Sequence, residues 1–260
     1  MKYCLNSRQA HEYLLKADEL KVEYRDRKSI PDLAEQYPNK TIILLRSSFD
    51  DELVWKEIKE YNILTHGKLL LCLGSMSDCE AAKENDVKFY FGFPANTWYE
   101  LRAMIDIGVS YVLIGAPLFF DMDKLATIEI PFRIIPNVAY LDGFIRKDGV
   151  CGTWVRPEDM HLYEDIIDTV EFSNCDIKKE QALYRIYAEQ KAWPGDLGFI
   201  IDGLEHKGVN RMLTEELTTT RMNCHQRCMD IGSCRYCYRA LDLADPDLIK
   251  DYMASDKVKD

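Results

Sequence analysis

The feature that most limits the fold of this chain is a regular alternation of short apolar runs with amphipathic helical patterns, from Leu20 to Asn174. The apolar runs read Leu20–Tyr24, Thr41–Leu45, Leu69–Leu73, Val87–Phe91, Tyr111–Ile114, Phe132–Ile135, Gly152–Val155 and Val170–Phe172. They are continuous rather than alternating, which is the pattern of parallel strands covered on both faces. Strand–helix repetition with short connections demands parallel pairing. Eight strand candidates fit a (β/α)8 TIM-type barrel, with an open doubly wound sheet as the competing architecture.

The stretches between the runs carry helix signals. Ser77 with Glu80, and Thr97 with Glu100, fit the capping box. Within 51–64, Val54, Ile58 and Tyr61 recur at helical spacing before Gly67. Trp98, Leu101 and Ile105 do the same before Gly108. Ahead of the repeat, Ser7–Lys16 reads as a helix placed to plug one end of the barrel. After it, Ile177–Ala192 reads as a charged amphipathic helix, broken by Trp193-Pro194-Gly195 and followed by a second helix near 196–206. The expected organisation is a barrel domain over 1–175 and, over 176–260, a C-terminal helical arm with the cysteine cluster, packed on the barrel.

Nine cysteines are present, and four crowd together: Cys224, Cys228, Cys234 and Cys237. Three residues separate the first pair, five the middle and two the last, with Gly232 available for the turn. Four converging thiolates select zinc or an iron–sulfur cluster such as [4Fe-4S]. The spacing leaves both open, and His225 is a possible substitute ligand. It is not the three-then-two spacing of radical enzymes that cleave S-adenosylmethionine. The plainer readings are buried thiols or a disulfide pair, the latter weaker in a chain without a secretion signal. Four arginines between Arg221 and Arg239, against Asp230, give this segment a formal +3 that would offset the thiolates.

At 260 residues and a formal net charge of −11, the chain has no global basic field for nucleic acid; only the Arg221–Arg239 segment could meet one. No apolar run approaches the roughly 20 residues that span a bilayer. The start lacks the basic-then-apolar layout of a signal peptide, so the expected location is the cytoplasm, with no membrane contact.

In a parallel barrel, chemistry gathers beyond the carboxyl ends of the strands. Those ends place Arg25 and Asp26, Arg46 with Ser47 and Ser48, Asn96, Asn137, and Arg156 with Glu158 and Asp159. Arg46 and Arg156, with Asn96 and Asn137 nearby, would suit a phosphate or carboxylate ligand. Glu158 or Glu171 could act as a general base if buried. Against this, Pro157-Glu158-Asp159 is also a good helix start, which favours a capping role. The aromatic run Phe89–Phe93 is either a stacking platform or, more simply, barrel wall. Cys151 has no identifiable histidine partner, and no phosphate loop, paired metal histidines or nucleophile elbow occurs.

Two stretches resemble the peptidase U32 (collagenase-like) family of TIM-barrel proteins. One is Ile107–Leu118 followed by Ile130-Pro131-Phe132-Arg133; the other is Val155–Asp159 leading into Val170-Glu171-Phe172. Family members carry a glycine and two cysteines soon after that last strand, whereas Ser173-Asn174-Cys175 here runs into a helix. The resemblance implies a barrel whose cysteines hold a [4Fe-4S] cluster, as in members linked to hydroxylation of RNA or ubiquinone precursors. Two functions follow. One is a metal-containing barrel enzyme, or enzyme subunit, acting on an anionic small molecule or modified nucleotide. The other is a non-catalytic structural, assembly or adaptor protein, viral included, with a protein partner and a zinc-stapled arm.

Overall fold

The computed structural model describes residues 1–45, 54–119, 121–138, 154–173, 175–190 and 200. The chain begins with strand β1 (Lys2–Asn6), helix α1 (His11–Lys16) and strand β2 (Glu19–Glu23). A 3-10 turn over Tyr24–Ser29 leads to α2 (Ile30–Gln36), β3 (Thr41–Leu45), α3 (Trp55–Leu64), β4 (Leu69–Leu73), α4 (Cys79–Glu84) and β5 (Lys88–Phe91). Then come α5 (Trp98–Ile107), β6 (Val112–Leu113), the short turns α6 (Ala116–Phe119) and α7 (Met122–Leu125), and β7 (Phe132–Ile134). A second long 3-10 segment, Pro157–Tyr163, precedes β8 (Ile167–Glu171) and α8 (Ile177–Ala188).

The eight strands of the described residues pair in parallel, in the order β5-β4-β3-β2-β1-β8-β7-β6. The two outermost strands then curl towards each other. Ser110 N donates to Phe89 O at 2.8 Å, and a parallel bridge joins Ala95 to Ile114, with Ala95 N to Leu113 O and Gly115 N to Ala95 O both at 2.8 Å. The result is a nearly closed TIM-type barrel. Gly115 is needed at this seam, because a Cβ there would lie 2.0 Å from Asn96 Oδ1 and 2.9 Å from Ala95 O.

The strand count and the role of the first segment are corrected. The strand expected over 152–155 is absent from its described part: Trp154 and Val155 are buried but outside the sheet, and Val155 N donates to Pro136 O at 3.1 Å. Pro157 follows closely and cannot extend a ladder. The missing member is β1, which pairs with both β2 and β8. The segment expected to plug the barrel is therefore the first wall unit. Its helix is shorter than expected, and Tyr13 and Leu14 join the core outside the sheet.

The local signals explain the remaining elements. Thr97 and Glu100 form the expected capping box, and Gly108 ends α5 at φ +85°. The box expected at Ser77 does not form: Asp78 is the N-cap of α4 and makes no side-chain capping bond to the helix, and Ser77 instead meets Ser75 at 2.7 Å. Leu20, Val22, Ile42, Leu44, Leu69 and Leu71 face outward into one apolar layer shared with helix residues such as Ile58, Leu101 and Leu183. α8, with which the expected arm begins, covers β1: Tyr3 Oη donates to Tyr187 O at 2.9 Å. Among the described residues no helix is long and apolar enough to cross a membrane.

Candidate functional site

Side chains in a strand alternate between faces. Because Leu20 and Val22 belong to the outer layer, Glu19 and Lys21 point into the barrel. Phe132 and Ile134 likewise turn out, which sends Arg133 inward. Small apolar clusters remain inside, notably Cys4, Ile43, Leu70 and Tyr90. Through them runs a set of buried ionisable groups from β2, β7, β8 and α8.

The deeper part centres on Arg133, which is 0% exposed. Its Nη2 donates to Glu19 Oε2 at 2.7 Å, and its Nε lies 3.6 Å from Glu171 Oε1. The guanidinium also sits over the rings of Tyr90 and Tyr111, 4.8 and 5.3 Å from their centroids. Arg133 Nε and Nη1 and Glu19 Oε1 have no hydrogen-bond partner among the described residues. Burial pushes the Glu19 carboxyl up, and Arg133 only partly opposes this.

The upper part, towards the carboxyl ends, centres on Lys21. Its Nζ donates to Phe172 O at 2.9 Å and lies 3.4 Å from Glu180 Oε1. Burial alone would lower the Lys21 pKa, but Cys4, Glu180, Glu171 and Cys175 outweigh it, and the amine stays above its ordinary value. The second Glu180 oxygen accepts from Asn6 N at 3.0 Å and from Gln9 Nε2 at 2.6 Å. Burial pushes the Cys72 thiol up to about 12 and the Cys4 thiol well above its usual range. Both are poor thiolate nucleophiles for that reason.

The expected site residues are distributed differently. Glu171 faces this interior beside Arg133. Arg156 is gripped by Asp159, Nε to Oδ2 at 2.6 Å and Nη2 to Oδ1 at 2.9 Å, with Glu158 3.5 Å away. Glu158 Oε2 is buried without a hydrogen-bond partner among the described residues. Asn137 ties the end of β7 to the end of β8, its Oδ1 accepting from Ser173 N at 3.1 Å and its Nδ2 donating to Ser173 O at 2.8 Å. Asn96 holds the seam, its Nδ2 reaching Pro94 O at 3.5 Å beside Gly115. The aromatic run is wall: Phe89 and Phe91 lie in the outer layer and Tyr90 inside. Arg46, Cys151 and the four clustered cysteines lie outside the described residues. Among the described residues, no group of three or more His, Cys, Asp or Glu side chains could hold a metal ion.

Sequence reading missed Glu19, Lys21, Arg133 and Glu180. The available signal was a charged residue embedded in an apolar run, as with Lys21 in Leu20–Tyr24 and Arg133 in Phe132–Ile135.

No protein-family model matches the chain, and no curated protein does. Among solved structures it is similar to the IolI protein with a bound zinc atom, at 15% identity and a TM-score of 0.44 over 78% of this chain and 100% of that one. A 3-hexulose-6-phosphate synthase gives 11% and 0.43 over 74% and 100%. The 3-keto-L-gulonate-6-phosphate decarboxylase of Vibrio cholerae gives 15% and 0.42 over 74% and 99%. Likenesses this distant assign no activity to this chain.

Proposed function

We propose that the chain is a barrel enzyme, or the barrel subunit of one, that takes a small anionic molecule or a modified nucleotide at the carboxyl ends of its strands. The observation that carries this reading is the chemistry of the inner wall. The interior of such a barrel is filled mainly by bulky branched aliphatic side chains. Here Lys21, Glu171, Arg133 and Glu19 occupy inward positions and are buried. Burying ions is costly and rarely improves stability over an apolar filling. Clustered, buried ionisable groups in a parallel barrel therefore point to chemistry. Lys21 is the cation that meets the anionic group: an ammonium has three donors, and two are directed at Phe172 O and Glu180. Glu171 is the acid–base group. The same proposal assigns Arg46 and Arg156, with Asn96 and Asn137, to ligand contact at the strand ends, where Asp159 and Glu158 already pair with Arg156.

The metal belongs to the same proposal. The spacing of Cys224, Cys228, Cys234 and Cys237 supports zinc or [4Fe-4S], and the U32 resemblance favours the cluster. Either group would brace the C-terminal arm, and an iron–sulfur cluster would add electron transfer.

The test combines two measurements on full-length protein purified without oxygen. Elemental analysis with visible spectroscopy reads the metal, and thermal shift reads binding of inorganic phosphate and simple carboxylates. The expected result is stoichiometric metal lost on Cys→Ser substitution at the four positions, and anion stabilisation lost in Lys21→Met. A colourless zinc protein that no anion stabilises would establish the scaffold alternative instead.

A further inference from the structure

We propose that Glu180 is a positioning residue: from α8 it holds the Lys21 amine as a fixed cation and locks the turn after β1 in the same contact. This rests on the preceding reading only for the use to which Lys21 is put; the clamp stands on its own geometry.

One carboxylate here serves three separate stretches of chain. Oε1 faces Lys21 of β2 at 3.4 Å. Oε2 accepts from the backbone N–H of Asn6, the last residue of β1, at 3.0 Å, and from Gln9 Nε2 at 2.6 Å. Gln9 Nε2 also donates to Ile177 O at 3.0 Å, so the turn is tied to α8 twice. Glu180, Gln9 and Lys21 are all buried. Glu180 lies in the first turn of α8, where Asp176 caps the helix by accepting from Lys179 N at 2.8 Å. The helix dipole favours a negative charge at that position.

The groups around Lys21 show why the clamp matters. From β1 it faces Cys4; from β8 and the residues beyond it, Glu171, the Phe172 carbonyl and Cys175; from α8, Glu180. Across the β3 register its partner is Ile43, which is uncharged. Glu171 is also drawn towards Arg133. Glu180 is thus the carboxylate paired with Lys21 at short range. A buried amine that loses its counter-charge gives up its proton or draws in water. The site would then lose its cation without losing its fold.

The experiment uses full-length protein with 15N-labelled lysine at neutral pH. Exposed lysine ammonium protons exchange too fast to observe, whereas a buried, paired ammonium is protected. The parent should show a protected ammonium signal, assigned to Lys21 by its loss in Lys21→Arg. Glu180→Gln keeps the size of the side chain and removes the charge, and should speed Lys21 proton exchange at least about tenfold. Backbone amides of β3 should be unchanged, which separates positioning from general loosening. Gln9→Leu, which removes a hydrogen bond but leaves the charge, should keep the signal. An absent Lys21 signal in the parent overturns the proposal and needs no variant to fold. So does an unchanged exchange rate in Glu180→Gln, or equal acceleration of the β3 amides. Inorganic phosphate then distinguishes the two readings: if it leaves a Glu180-dependent Lys21 signal unaltered, anion binding fails and the clamp holds.

Discussion

On β2, Leu20 and Val22 turn outward into a continuous layer of aliphatic and aromatic side chains, while Glu19 and Lys21 turn inward to meet Arg133, Glu171 and Glu180. The same contrast recurs on β7, where Phe132 and Ile134 flank Arg133. The outer face holds helices to the sheet by burying apolar area, which is non-directional and tolerates substitution of similar volume. The inner face depends on specific partners, and a lost partner leaves a charge stranded. Stability therefore comes mainly from the outside of the wall, and specific chemistry from the inside.

The sharpest way to break this comparison is to remove one inner partner. Arg133→Met should cost about 3–5 kcal/mol, because Glu19 is then buried without its cation. Pairing it with Glu19→Leu should recover most of that loss, since an apolar pair of similar size suits the space. Leu20→Ala on the outer face should cost about 2–5 kcal/mol with no second-site rescue at Glu19. Chemical denaturation of these single and double variants measures this. If the Arg133→Met and Glu19→Leu costs simply add, the inner pair is not coupled and the contrast between the faces fails.

This division also explains what could be read from sequence. β3 and β4 were plain because Thr41–Leu45 and Leu69–Leu73 are apolar on both faces. β1 was missed because Lys2-Tyr3-Cys4-Leu5-Asn6 mixes polar and apolar residues at the start of the chain, and only its pairing to β2 and β8 makes it a strand. The eighth place went instead to 152–155, an apolar run followed closely by Pro157, whose described residues, Trp154 and Val155, lie outside the sheet. Within the site, Glu171 was visible as a charge inside the short run Val170–Phe172, singled out as a general base if buried. Lys21 and Arg133 were hidden because neighbouring apolar residues made their runs read as uniformly buried. Glu180 could not be found at all, since its partners Lys21, Asn6 and Gln9 lie more than 150 residues away in sequence.

A smaller effect should appear on raising pH. Burial holds the Cys4 and Cys72 thiols and the Tyr90 hydroxyl above their ordinary values of 9.0 and 10.0, and neighbouring charges hold Lys21 above 10.5. Each of these groups keeps its proton in the folded chain after the unfolded chain has released it. Stability is therefore full below about pH 9 and falls as pH rises, with Cys72 still resisting up to about 12. The melting temperature should drop by several degrees between pH 8 and about 10.5, and Cys4→Ala with Cys72→Ala should flatten the early part of that fall. A flat profile in the parent would mean that water reaches the inner face.

The smallest effect is expected at the amino-terminal rim, where the same strands carry an ion pair in contact with solvent. Lys2 Nζ lies 3.1 and 3.2 Å from the two oxygens of Asp168, linking β1 to β8. In distance this pair is comparable to Arg133 and Glu19, but its side chains are 47% and 28% exposed rather than 0% and 1%. Water already solvates both charges, so little desolvation is incurred on folding and little attraction survives screening. Asp168→Asn should therefore cost less than about 1 kcal/mol, several times below the cost of Arg133→Met. The remaining cost should shrink further in about 1 M salt, where the screening length is roughly 3 Å. The Arg133 penalty should persist at that salt concentration, because buried charges are screened much less. Parallel denaturation series at low and high salt decide between these outcomes. If Asp168→Asn costs as much as Arg133→Met, and equally at both salt concentrations, the rim belongs to the dry interior and the polar network runs the full depth of the barrel.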